Sequence, residues 1–186
     1  MNIVVRSLDS YCVCRPDTTW ERENKDIYAP ESVVKYDYAP VLFVRICKAG
    51  KCVAEKFASR YYDGFNYGLL LTAHLKLPSG DEIVSDCLDH SSILPFPLYN
   101  PVVLENEDKS FTVKADGKEL FSTSEGSPAT VHKAISELSA MVSLRIGDIV
   151  AVELQRPQTL CGKDCGEIAL KGNFFGNETF STRLIF

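Results

Sequence analysis

Three consecutive stretches decide the fold: Val41-Leu-Phe-Val-Arg-Ile-Cys47, then Lys48-Ala-Gly-Lys-Cys-Val-Ala-Glu-Lys-Phe-Ala-Ser-Arg-Tyr-Tyr-Asp63, then Tyr67-Gly-Leu-Leu-Leu-Thr-Ala-His-Leu-Lys-Leu77. The first is nearly continuous in apolar residues, so it predicts a strand buried on both faces. Ala49-Gly50-Lys51 ends it as a turn, and Ala54 to Tyr62 suits a short helix. The third predicts a long strand. Strand periodicity puts Leu71, Ala73, Leu75 and Leu77 on one face and Leu70, Thr72, His74 and Lys76 on the other. Pro78-Ser-Gly80 closes it.

Working outward, Ile3 to Val5 reads as a first strand, and residues 9 to 31 as a polar, irregular loop or short helix. Pro95, Pro97 and Pro101 punctuate an extended stretch. Asp116-Gly117 between the alternating runs Phe111–Ala115 and Lys118–Phe121 predicts a two-residue hairpin. Ser127-Pro128 supplies an N-cap and a first helical residue. Val131, Ala134, Ile135, Leu138 and Val142 follow at helical spacing. Ile149–Leu154 and Phe180–Phe186 read as further strands. Many strands, one clear helix and no regular βα alternation predict an α+β, β-dominated fold.

The chain has 186 residues, 45% hydrophobic and 24% charged, with net charge −5. Disorder, collagen and coiled coil are thereby excluded as the main architecture. No basic stripe points to nucleic acid, and no apolar run reaches the roughly 18 residues of a membrane helix. Met1 to Arg6 is too short for the apolar core of a signal peptide. The expectation is a cytoplasmic protein without a nucleic-acid or membrane partner.

Seven cysteines, with C-x-C at Cys12/Cys14, C-x4-C at Cys47/Cys52, C-x3-C at Cys161/Cys165 and a lone Cys87, match no common zinc or redox spacing. Buried reduced thiols, a zinc site and a redox switch at Cys161/Cys165 all remain open readings. Asn177-Glu178-Thr179 matches a glycosylation sequon. His74 reads as structural and His132 as solvated. Asp86-Cys-Leu-Asp89-His90-Ser91-Ser92 gathers two carboxylates and an imidazole. Such a cluster can bind a hard cation or form an acid–base pair, and it can equally be a turn.

The segment from Val44 to Asp63, with Gly68 and Leu71-Thr-Ala73, resembles the fumarylacetoacetate hydrolase family. Leu88-Asp89, the Val113–Phe121 hairpin, the Val131–Leu138 helix and Leu144-Arg-Ile-Gly-Asp-Ile149 extend the likeness over roughly residues 27 to 186. The resemblance implies one domain over 1–186, a mixed β-sandwich roll with one main helix, with residues 1–30 a shortened N-terminal segment. It implies a homodimer; a heteromer with a paralogue that keeps the Glu-x-Glu and Asp is the alternative assembly. It also implies a divalent cation (magnesium, manganese or calcium) held by Glu-x-Glu and an Asp, acting on oxo-acids.

The residues depart from that pattern. Ala39 and Val41 fall on the Glu-x-Glu positions, Leu75 on the Asp, and Asp86 on a lysine. Val152-Glu-Leu-Gln155 replaces a Thr-Gly-Thr-Pro turn, and Ser10-Tyr11-Cys-Val-Cys14 lacks the histidine of an Asn-Tyr-x-x-His motif. The expectation is therefore a degenerate, non-catalytic protein acting in binding, scaffolding or regulation. It has no metal or cofactor, and its vestigial cleft is marked by Ala39, Val41, Leu75, Asp86, Asp89 and His90. Ala39, Val41 and Leu75 should converge in space. The alternative is a hydrolase, isomerase or decarboxylase for oxo-acids with a relocated site at Asp86, Asp89 and His90.

Overall fold

The computed structural model describes residues 1–9, 11–76, 84–106 and 108–186. Leu77 and the Pro78–Gly80 stop lie outside the described residues, as does Ser10. Two long strands form the spine, β5 (Val33–Ile46) and β6 (Tyr62–Leu75), paired antiparallel. Between them lies the 3-10 helix Glu55–Arg60, where a short helix was expected.

The larger sheet has the order β2 (Cys12–Pro16), β1 (Asn2–Arg6), β10 (Ile149–Glu153), β5, β6, β7 (Ser92–Ile93), β3 (Trp20–Glu21), with β11 (Gln158–Gly162) added on β5. Its terminal strands β2 and β3 are joined in sequence only by the turn Asp17–Thr19. Strands at opposite ends of one sheet can be that close in sequence only if the sheet curls, and the result is a barrel-like roll. The smaller sheet runs β4 (Ile27–Tyr28), β13 (Asn177–Ile185), β12 (Glu167–Phe174), β8 (Phe111–Ala115), β9 (Lys118–Thr123).

β5 and β6 are apolar on both faces because each face meets a different core. Leu42, Val44, Leu69 and Leu71 point to the small sheet, joining Phe111, Phe174 and Leu184 and the helix residues Ile135 and Leu138. Val41, Phe43 and Leu70 point into the roll, joining Ile3, Val5, Leu94, Ile149 and Ala151. The helix α1 spans Pro128–Met141, with Pro128 in its first turn and the Ser127 hydroxyl accepting the Thr130 N–H at 3.2 Å. Asp116 and Gly117 take positive φ of 49° and 80°, as a primed hairpin turn requires.

The N-terminal expectation is corrected. Residues 9–31 contain β2, β3 and β4, which the structure recruits as edge strands of both sheets. β2 pairs with its neighbour β1, while β3 and β4 pair with the distant β7 and β13; none is a run long and apolar enough to read as a strand. β12 also went unread, because Gly172 interrupts the alternation Ile168, Leu170, Phe174. Gly172 faces Phe180 on β13, and a Cβ there would stand 2.2 Å from that ring. The glycine is the space in which the aromatic lies. No described helix is long and apolar enough to cross a membrane.

Candidate functional site

At one mouth of the roll the apolar interior gives way to polar side chains. β2 sends Val13 and Arg15 inward, while β5 supplies Ala39, β6 supplies Leu70 and Thr72, and β10 ends at Glu153. Together with Asp86 they line a cleft of about 90 Å³. A neighbouring cavity of about 450 Å³, lined by Arg6, Lys109 and Thr130 among others, shares Glu153 with it.

Arg15 dominates this mouth. It is only 4% exposed. Nη1 donates to the Leu71 carbonyl at 2.9 Å and reaches Ser91 Oγ at 3.5 Å. Nη2 donates to Thr72 Oγ1 at 3.1 Å and to Asp86 Oδ1. The Thr72 hydroxyl donates to the same Asp86 oxygen at 2.7 Å. The Arg15 Nε–H is buried without a partner. Burial pulls the guanidinium below its ordinary pKa, and Asp86 and Glu153 oppose that by favouring the charge. Glu153 accepts the Leu8 N–H at 3.0 Å. Burial pushes its carboxyl up, against the Leu8 hydrogen bond and Arg15.

The predicted trio does not converge. The β5–β6 register pairs Ala39 with Leu70 and Val41 with Gly68, whereas Leu75 pairs with Val33. Seven residues of strand separate Leu75 from Gly68, about 23 Å at ~3.3 Å per residue. Leu75 also faces the other core. The position facing Ala39 is Leu70, five residues earlier and on the opposite face. Val41 is fully buried in the core of the roll and does not line the cleft.

Asp86, Asp89 and His90 also part company. Asp86 turns into the mouth beside Arg15, while Asp89 and His90 are exposed and line a separate cavity of about 460 Å³. His90 Nδ1 lies 2.9 Å from Oε2 of Glu21, a carboxylate only 3% exposed. The other Glu21 oxygen accepts the N–H groups of Glu23 at 2.6 Å and Lys25 at 3.3 Å. His90 has φ +61°, unusual for a residue with a Cβ, so its imidazole is held on a tightly specified turn.

Arg15 and Glu21 are the two residues of the candidate site that sequence reasoning missed. Both stand in short strands without a motif, and only the curling of the sheet gives them partners 71 and 69 residues away. Elsewhere His74 Nε2 lies 2.6 Å from Asp37 Oδ2. His132 is partly buried rather than solvated, with Nε2 at 3.2 Å from the Tyr62 hydroxyl. Cys161 is buried, which raises its thiol pKa to about 12, with Cys165 and Asp116 adding to the rise. A thiol so disposed is a poor nucleophile, which weakens a switch at Cys161/Cys165.

The mouth does not fit the divalent cation implied by the family resemblance. Ala39 and Leu70 offer methyl groups where oxygen ligands are needed, and a buried guanidinium already brings positive charge. Among the described residues no group of three or more His, Cys, Asp or Glu side chains is placed to hold a metal ion.

No family model and no curated protein matches the sequence. Solved structures do match its fold. Fumarylpyruvate hydrolase from Pseudomonas aeruginosa, solved with Mn2+ and pyruvate, superposes with TM-score 0.78 at 16% identity, covering 100% of this chain and 90% of that one. A fumarylacetoacetate hydrolase family protein from Yersinia pestis CO92 gives 0.76 at 18%, covering 99% and 92%. The 5-carboxymethyl-2-hydroxymuconate delta-isomerase of Mycobacterium smegmatis gives 0.74 at 14%, covering 99% and 78%. The chain has the fold of the fumarylacetoacetate hydrolases, a β-rich roll with one main helix. Its structural neighbours include hydrolases and isomerases.

Proposed function

We propose that this protein is a non-catalytic derivative of the fumarylacetoacetate hydrolase fold that acts in binding, scaffolding or regulation. The observation that carries the reading is Arg15, a buried guanidinium locked to Asp86 in the mouth of the roll. A fixed positive charge about 4 Å from a divalent ion would repel it by roughly 8 kcal/mol at an effective dielectric of about 20. Ala39 and Leu70 offer no oxygen to offset that repulsion. Without the ion, a bound oxo-acid has no metal to stabilise an enolate. The reading extends to a cytoplasmic homodimer, or a heteromer with a paralogue that keeps the ligands. Exposed Tyr28, Val102, Met141 and Ile146 supply apolar surface for such contacts.

The test is turnover of fumarylpyruvate, acylpyruvates and oxaloacetate by the wild-type protein with Mg2+ or Mn2+. The expected result is no rate above background. Metal-dependent turnover would overturn the reading.

A second reading is favoured by the Glu21–His90 pair: a hydrolase, isomerase or decarboxylase for oxo-acids working from a relocated site. A buried carboxylate that orients Nδ1 leaves Nε2 to act as a base beside a cavity. Metal-independent turnover abolished by His90→Ala would establish it, and the absence of turnover would remove it.

A further inference from the structure

The chain has net charge −5, yet one end of the molecule gathers cations. Residues 47–60, which connect β5 to β6, and residues 141–147, which leave α1, hold Lys48, Lys51, Lys56, Arg60 and Arg145 against the single carboxylate of Glu55. All five cations are exposed, and among the described residues none is paired with a carboxylate. Asp63, the next acid along the chain, is taken by two N–H groups of Arg45 at 3.0 and 2.8 Å. Backbone pairing assembles the patch, so no run of sequence displays it. The Gly50 N–H donates to the Leu144 carbonyl at 3.0 Å and the Ile46 N–H to the Asp148 carbonyl at 2.8 Å, which sets Arg145 and Ile146 beside Lys48. The Cys47 N–H donates to the Tyr61 carbonyl at 2.8 Å, which brings in Arg60.

Three apolar side chains stand out among the cations. Ile146 is 72% exposed, Met141 54% and Phe57 42%. Large apolar side chains that cluster at the surface mark a place of contact. The scaffold beneath them is tied down. The 3-10 helix that carries Phe57 packs on α1. Ser139 of α1 is fully buried and accepts the Cys52 N–H at its carbonyl and the Val53 N–H at its hydroxyl, each at 2.8 Å. Lys51 Nζ donates to the Met141 carbonyl at the helix end, at 2.7 Å. A surface fixed in advance gives up little entropy on binding.

The aromatic rings discriminate between partners. Lys56 Nζ lies 5.0 Å and the Arg60 guanidinium 5.3 Å from the Phe57 ring centroid, and Lys48 Nζ lies 5.2 Å from that of Tyr61. A ring already faced by cations is a poor platform for a nucleobase, and sinking it into hydrocarbon would carry the cations with it. A second copy related by a two-fold axis would set the patch against itself, cation against cation. The patch fits instead a different polypeptide whose carboxylates surround an apolar or aromatic centre.

We infer that this end of the molecule is a docking surface for an acidic protein surface of that kind. The inference rests on the binding or scaffolding reading and names the chemistry of the partner: carboxylates to meet Lys48, Lys56 and Arg60, and apolar contact for Ile146 and Met141.

The probe is a fluorescein-labelled random copolymer of glutamate and tyrosine, followed by fluorescence anisotropy beside polyglutamate of the same length. The copolymer should bind the wild-type protein more tightly than polyglutamate does. Its affinity should fall by about tenfold or more between about 50 mM and about 500 mM salt, as the screening length shrinks. Lys48→Glu combined with Lys56→Glu and Arg60→Glu should weaken it by about tenfold or more at low salt. Ile146→Ser should weaken it without changing the salt dependence. If the charge-reversed variant melts below wild type, Lys48→Gln with Arg60→Gln takes its place and must show the same loss. Absence of copolymer binding overturns the inference, as does binding that the cation variants leave unchanged, or equal affinity for polyglutamate. Tighter binding of phosphatidylserine vesicles or single-stranded DNA through the same residues overturns it in favour of a lipid or a nucleic acid. Self-association abolished by the charge reversal overturns it in favour of a second copy. Turnover of oxo-acids bears on the proposed function and leaves copolymer binding untouched, so the two failures are distinct.

Discussion

Arg15 and Asp86 depend on each other unequally. Arg15 is 4% exposed and its partner side chain 29%, so deleting the acid strands a buried charge, whereas deleting the base leaves a carboxylate that water can reach. Asp86→Asn is expected to cost about 2–3 kcal/mol in urea unfolding, below the full penalty of breaking a wholly buried pair because solvent screens the acid. Replacing both members, as Arg15→Met with Asp86→Leu, should cost less than Asp86→Asn alone, because neither charge remains to be desolvated. Glu153 gives a pH-dependent case. Its folded-state pKa is raised by burial, so it contributes most to stability at low pH and loses that contribution as pH climbs through the raised value. Glu153→Gln removes the penalty on the ionised form. The variant should melt higher than wild type at pH 8, and the gain should shrink as pH falls towards 4. A gain that grows on acidification would contradict the burial argument.

Register is what assigns residues to the mouth, and Gly68 helps to fix it. A Cβ at Gly68 would lie 2.4 Å from the Ile93 carbonyl oxygen, on the strand that β6 must pair with. Gly68→Ala should therefore destabilise by about 2 kcal/mol or more, read as a lowered urea midpoint, since backbone rather than a mobile side chain must move. An unchanged midpoint would mean that β7 does not close on β6 at that point. The same register separates what was legible from what was not. Val41–Cys47, Tyr67–Leu75, the Asp116-Gly117 hairpin and the Ser127 cap were legible because each signal is local: a periodicity, a turn pair or a capping hydroxyl. Leu75 falls on the Asp position of the family pattern by its spacing from Thr72-Ala73, and spacing along one strand says nothing of which residue on the next strand lies opposite. Two strands of 14 residues can slide past each other in sequence reasoning, and only their pairing puts Leu70 beside Ala39. Arg15 was illegible for a related reason. A lone arginine in Cys-Val-Cys-Arg-Pro looks exposed until the sheet curls and brings Thr72 and Asp86 to it.

The roll brings residues from both ends of the chain to one mouth: Arg15 from the N-terminal strands, Ala39 and Leu70 from the central pair, Glu153 from β10. The whole molecule has the fold of the fumarylacetoacetate hydrolases, with Arg15 and Asp86 paired in the mouth of the roll. If the exposed apolar residues are contacts between copies, light scattering at micromolar concentration should give twice the chain's mass, and a monomer would count against the dimer. The central claim is that Arg15 stands where a metal would otherwise be needed. Its most direct test is an anomalous difference map from crystals of the wild-type protein grown in Mn2+. The account predicts the guanidinium in density against Asp86, with no manganese peak in the mouth. A manganese peak within bonding distance of Asp86 or Glu153, with Arg15 swung aside, would contradict it.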